Sequence, residues 1–158
     1  MQLTNRRVHL MGTVIDVSIY HKQPEPLLDQ VEALLNLYNK RFSANDDSSE
    51  LMKINKAAGL HPVKIHPELF ELISLGKWHS CQPGSHLNIA IGPLIQTWRI
   101  GFSDARLPFP EEITLLLDII NPNAIVLSEE NQSVFLQEKG MKIDLGALAK
   151  GYIADRIA

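Results

Sequence analysis

The residues with most scope for chemistry stand together in KIDLGALAKGYIADRIA, Lys142 to Ala158. A short apolar stretch ends in an acid, Asp144, and runs into Gly146-Ala147-Leu148-Ala149-Lys150-Gly151. A Walker phosphate loop is excluded, because that pattern needs GxxxxGK[ST] and here Lys150 precedes the glycine with no Ser or Thr after it. What remains is a strand-to-helix junction. A helix from Gly146 to Ala158 would turn its first amides over the strand end, where free donors and the positive end of the helix dipole favour an anion. Lys150 would add a cation, and Asp144 a polar edge or metal ligand. In the alternative, Gly146, Ala147 and Ala149 allow close packing, Asp144 caps the helix and Lys150 is solvated. The residues alone leave both readings open.

Other motifs are absent. The six histidines form no HxxxH or HxH pair and the chain has one cysteine, Cys81, so no zinc set and no internal disulfide is available. Asp46-Asp47 lacks the order of a calcium loop and is read as a helix start. Gly84-Ser85-His86 lacks the second glycine of a nucleophile elbow.

These residues must be positioned by a scaffold. Ile15, Val17 and Ile19 alternate with polar neighbours, which predicts a strand over Thr13 to Tyr20. Leu27, Leu28, Val31, Leu34, Leu35, Tyr38 and Phe42 fall at helical spacing and predict a long amphipathic helix after Pro24 and Pro26. Asp47 with Glu50 predicts a capping box for a short helix ended by Gly59. A strand over His61 to Ile65 follows, then a helix from Pro67 with Leu69, Phe70, Leu72, Ile73 and Trp78 inward, broken by Pro83-Gly84. Gly92-Pro93 suggests an extended entry and a short helix through Trp98, with Trp98 in the core; Pro108 to Ile120 reads as another helix. Ala124 to Ser128, Ser133 to Gln137 and Met141 to Leu145 are expected to form an antiparallel meander. Blocks of helices and hairpins, without repeated βαβ units, predict an α+β fold: an antiparallel sheet with several packed helices.

At 158 residues the chain suffices for one domain with its own core. Its net charge of −3 leaves no electrostatic footprint for nucleic acid, which is excluded as a partner. No run is apolar enough for a membrane span and no export signal is visible, so the expected localisation is cytoplasmic; the alternative is a cell-surface lipoprotein whose upstream signal has been removed.

Four separated stretches change the weight of these readings: MGT at Met11 to Thr13, FSANDDSSELMKIN at Phe42 to Asn55, HLNIAIGPLIQTW at His86 to Trp98, and KIDLGALAKGYIADRIA at the end. Their order and spacing resemble the FAD:protein FMN transferases, the ApbE family once labelled thiamine biosynthesis lipoproteins. The resemblance runs from Met11 onward but covers only the N-terminal portion, so residues 1–158 are expected to be part of a larger transferase domain. The abrupt end of the last helix, without a C-cap, fits a chain that has been cut. The resemblance implies a Mg²⁺-dependent reaction in which a Thr or Ser hydroxyl of a target flavoprotein attacks the FMN phosphorus of FAD. AMP leaves, and FMN stays attached as a phosphoester.

By position, the resemblance implies that Met11 packs on the flavin nucleotide and that Asn45 stands where relatives often have an aromatic against adenine. His86, Leu87 and Asn88 would lie in the FAD-contacting segment. Asp144 would bind FAD, the Ala147 main-chain carbonyl would be a magnesium ligand, and Lys150 would lie beside the nucleotide. The catalytic residues are not assigned. Where the family commonly shows Phe-Asp-x-Thr this chain has Leu87-Asn88-Ile89-Ala90, and where Trp-Gly-Phe is common it has Trp98-Arg99-Ile100. Two other functions stay in play: an FAD pyrophosphatase releasing FMN and AMP, and a non-catalytic FAD-binding module.

Overall fold

In the computed structural model, which describes residues 1–158, strands β1 (Gln2–Leu10) and β2 (Thr13–His21) pair antiparallel, from Leu10 opposite Thr13 to Gln2 opposite His21. The turn is two residues long, and both Met11 and Gly12 have positive φ, 55° and 68°. That is the dihedral pattern which matches a turn to the twist of its strands. β2 was legible in the sequence and β1 was not. Among the more protected positions of β1, Thr4, Arg6, Val8 and Leu10, two are polar, so the apolar alternation is broken. Arg6 instead reaches Glu25, Asp29 and Glu32 at 2.7, 2.6 and 3.3 Å and ties the hairpin to α1 (Pro24–Phe42).

Helix α1 starts on Pro24, whose missing N–H is no loss in a first turn, and buries Leu28, Leu35, Tyr38 and Phe42. Helix α2 (Glu50–Lys56) follows a short loop. The expected Asp47–Glu50 capping box is not formed. Ser49, fully buried, is the N-cap: its Oγ accepts from the Met52 amide at 3.0 Å and donates to the Ser43 carbonyl at 2.6 Å. Glu50 is drawn elsewhere, accepting from the His66 amide at 2.8 Å. Gly59 closes the region at φ +74°, and a Cβ there would meet the Lys139 amide nitrogen at 2.8 Å.

The second sheet has three antiparallel strands, β3 (Val63–Lys64), β4 (Ile125–Ser128) and β5 (Ser133–Leu136), in the order β3-β5-β4. Met141 to Leu145 is therefore not the third strand of the meander, because β3 occupies the edge of β5 that it would need. It is extended, with Met141, Ile143 and Leu145 each 1% exposed, but its main chain finds other partners. Lys142 forms one parallel bridge to Ile91, and the Asp144 amide donates to the Ile89 carbonyl at 2.9 Å.

Helix α3 (Pro67–Ser80) buries Leu69, Phe70, Leu72 and Ile73. Trp78, expected inward, is 58% exposed; five residues beyond Ile73 it lies about 140° round the helix from it. Helix α4 (Gly92–Trp98) ends with Trp98 half-buried rather than in the core. Helix α5 (Pro110–Leu117) is shorter than expected and has no buried residue. The last helix, α6 (Ala149–Ile157), begins three residues later than expected, and Ile153 enters the core. One hydrophobic cluster unites α1, α2, α3, the three-stranded sheet, the Met141–Leu145 segment and α6, giving the expected α+β architecture.

Candidate functional site

A cleft of about 260 Å³ opens where the hairpin tip, the end of α1, the loop after it and the turn before α6 meet. Met11, Asn45, Asp144 and Lys150, from three separated stretches of sequence, all line it. The Met11-Gly12 turn delivers Met11, a non-glycine residue held in the left-handed region, to the opening. Asn45 belongs to a wall running from Ser43 to Asp46, where the Asn45 amide donates to Ser43 Oγ at 3.2 Å. The other expected residues lie outside the lining. His86 is exposed and Leu87 half-buried. Asn88 has turned inward, donating from Nδ2 to the Ile120 carbonyl and accepting at Oδ1 from the Ala90 amide, both at 2.8 Å. Ala147 follows the lining residue Gly146 without itself lining the cleft.

The turn before α6 differs in detail from a simple helix start. Asp144 Oδ1 accepts from the Gly146 amide at 2.8 Å, and the amides of Leu148 and Ala149 both return to the Leu145 carbonyl at 2.9 and 2.8 Å. The Lys150 and Gly151 amides donate to no main-chain carbonyl, and the Ala147 carbonyl accepts no hydrogen bond. The free Ala147 carbonyl and the carboxylate of Asp144, three residues earlier in the chain, are hard oxygen donors.

Sequence reasoning missed the aromatic side of the cleft. Tyr38 and Phe42 line it, with ring centroids 5.3 Å apart, and Tyr152 meets Phe42 edge-on at 5.7 Å. Their helical spacing marked them as core, which they also are. Phe102 lines the cleft from the loop after α4 and had no sequence signal. The Tyr38 hydroxyl donates to Glu68 at 3.2 Å, and Arg41 pairs with the same carboxylate. Burial, then Glu68, raises the Tyr38 phenol; burial, then Glu71, pushes Tyr152 up to about 12. Both phenols are therefore protonated at neutral pH. Asp46 is held below the usual carboxylate range by the Ser48 hydroxyl and amide.

The cleft thus presents two acids, Asp46 and Asp144, one cation, Lys150, an aromatic side and no histidine. No group of three His, Cys, Asp or Glu side chains could cage a metal. Such a surface can bind and orient a polar ligand with an apolar ring.

Residues 11–158 match the model of the ApbE family. The chain is 43% identical over 148 residues to the FAD:protein FMN transferase of Klebsiella pneumoniae (strain 342), covering 94% of this chain and 46% of that protein. It is 32% identical over 157 residues to the FAD:protein FMN transferase of Treponema pallidum (strain Nichols), covering 94% and 43%. The fold matches the crystal structure of the ApbE protein from Thermotoga maritima with a TM-score of 0.90 at 24% identity, over 99% of this chain and 51% of that one. The flavin transferase ApbE from Vibrio cholerae matches with a TM-score of 0.86 at 20% identity, over 99% and 52%. The chain spans about half the length of these proteins. With the family model satisfied from the hairpin tip to the last residue, the chain belongs to the ApbE family.

Proposed function

We propose that residues 1–158 form the N-terminal part of a Mg²⁺-dependent FAD:protein FMN transferase. The observation that carries this is the cleft itself: Met11, Asn45, Asp144 and Lys150 meet there in a chain 43% identical to a transferase of that name. The cleft is smaller than the roughly 300–1,000 Å³ of most ligand sites, so it takes one portion of a dinucleotide.

In this reading, the Tyr38 and Phe42 rings and Met11 supply apolar surface to a flavin or base, and Lys150 approaches the pyrophosphate. Asp46 and Asp144 alone would repel that anion. Mg²⁺ fits the donors available, because it keeps several waters and substrate phosphates in its shell and needs only one or two protein oxygens. The Ala147 carbonyl and the Asp144 carboxylate would be those oxygens. Bound there, the metal would neutralise charge developing on the pyrophosphate. The target hydroxyl forms the new O–P bond, its proton is lost, the P–O bond to AMP breaks, and FMN remains on the acceptor.

The test incubates the full natural reading frame with FAD, Mg²⁺ and a protein bearing an acceptor threonine, followed by mass measurement. A gain of one FMN on the target is expected. Free FMN and AMP with an unmodified target would replace transfer by hydrolysis, and intact FAD would leave only binding.

A further inference from the structure

Helix α2 touches both sides of the cleft. At its N-terminus, Ser49 holds the first residue of the Ser43–Asp46 wall through the 2.6 Å bond to the Ser43 carbonyl. At its other end, Asn55, 6% exposed, donates from Nδ2 to the Ile143 carbonyl at 3.0 Å and accepts at Oδ1 from the Ile143 amide at 2.8 Å. Nδ2 also lies 3.7 Å from Met52 Sδ, so both of its N–H groups have a partner. One donor and one acceptor offered to the N–H and C=O of a single residue reproduce what a neighbouring strand would supply.

The same segment is gripped from the α4 side. The Gly92 amide donates to the Lys142 carbonyl at 3.2 Å, and Ile89 receives the Asp144 amide. Asp144 therefore follows directly on a residue whose two main-chain groups are both fixed by Asn55. Ser49 caps α2, a helix of seven residues, and Asn55 is its sixth, so a stiff rod about 9 Å long separates them.

We propose that Asn55 is a positioning residue: with α2 as the strut, it fixes the distance between the Asp144 turn and the Ser43–Asp46 wall, and so sets the width of the cleft. The proposal rests on the FAD reading above for its ligand, while its geometry does not. A residue that merely satisfied buried polar groups would govern stability and leave affinity alone.

The test compares Asn55→Leu with Leu72→Ala, a lesion of the buried α3 face outside the cleft, in the full natural reading frame. Both lower Tm. Where circular dichroism shows every variant folded, Asn55→Leu raises the Kd for FAD with Mg²⁺ about tenfold, the scale of a lost buried hydrogen-bond pair. Leu72→Ala stays within about twofold. Asn55→Asp, which keeps size and acceptor but turns a carboxylate oxygen on the Ile143 carbonyl, carries the same comparison if Asn55→Leu does not fold. Wild-type affinity in a folded Asn55 variant overturns the proposal. If the wild-type protein does not bind FAD, the functional reading fails and amide exchange decides the positioning role. Faster exchange at Ile143, Asp144 and Gly146 in the Asn55 variant than in Leu72→Ala supports it, and equal exchange overturns it.

Discussion

Ile143, the residue before the lining Asp144, is held on both main-chain groups by a buried carboxamide, whereas Phe102, which lines the cleft from another element, rides on a loop with exposed ion pairs. Around Ile143 the bonds are short, shielded and made to main chain. Around Phe102 the main-chain bonds are local turns, from the Phe102 amide to the Arg99 carbonyl at 3.0 Å and from the Ala105 amide to the Phe102 carbonyl at 3.1 Å, and the side-chain fasteners are exposed. Arg99 Nε reaches both Asp104 oxygens at 3.1 Å, and its guanidinium carbon lies 4.3 Å from the Phe102 ring centroid. Arg106 pairs with Glu112 further along, while Ile100, Leu107 and Phe109 are 80, 84 and 69% exposed. Exposed ion pairs contribute only about 0–1 kcal/mol each. The contrast separates two jobs: polar groups that must keep an exact spacing are built into the core, and an apolar lining residue is held by contacts that can yield.

Three substitutions or conditions probe that contrast. Gly92→Ala strikes the floor of the cleft, the Met141–Leu145 segment that leads into its turn, because a Cβ would meet the Lys142 carbonyl oxygen at 2.6 Å and its carbon at 2.9 Å, both main chain. Destabilisation by about 1–3 kcal/mol in denaturant unfolding is expected. A neutral result would mean that the floor gives way as easily as the loop.

Arg99→Gly addresses the loop. Arg99 sits at φ 53° and ψ 35°, a left-handed conformation that costs a non-glycine residue about 1 kcal/mol and that glycine adopts freely. Relief of that strain is offset by the lost Asp104 pair and by the freer unfolded chain, so unfolding should change by less than about 0.5 kcal/mol. A large loss would show the loop to be as firmly built as the floor.

Acid should loosen the loop first. Arg106 and the Phe109 amide hold the Glu112 carboxyl at about 2, against an ordinary 4.5. A lowered carboxyl contributes its stabilisation above its unfolded value and loses it as pH falls through the folded one. Between pH 4.5 and about 2 the start of α5 therefore weakens, while the Asn55 clamp contains no titrating group. An NMR titration of the Phe109 amide should report a midpoint near the lower value; a midpoint at the ordinary one would mean that the pair does not hold in solution.

Periodicity revealed elements whose apolar face meets one core surface, which is why α1, α3 and β2 could be read from the sequence. It misread the Met141–Leu145 segment in an instructive way. The alternation of Met141, Ile143 and Leu145 correctly marked extended, half-buried chain, but alternation cannot name the partner, and the partners are a side chain and an unladdered loop. Four of the expected site residues converge because the quoted motifs are short and adjoin turns. His86, Leu87 and Asn88 do not join them, and Asn88 has both ends of its amide committed to main chain. Asn55 lay inside a quoted motif with no role attached, since nothing local shows that its amide faces a residue 88 positions away.

That separation has a kinetic side. The hairpin closes across two residues, and α1 and α2 form from local contacts, but Asn55 can meet Ile143 only after a loop of 88 positions has been closed. Closure entropy precedes any return from such contacts, so distant pairings come late in folding. The hairpin tip and the Ser43–Asp46 loop are therefore expected to assemble before Asp144 is set opposite them. A molecule stalled between the two stages would carry Met11 and the Ser43–Asp46 loop in place, with no Asp144 opposite them.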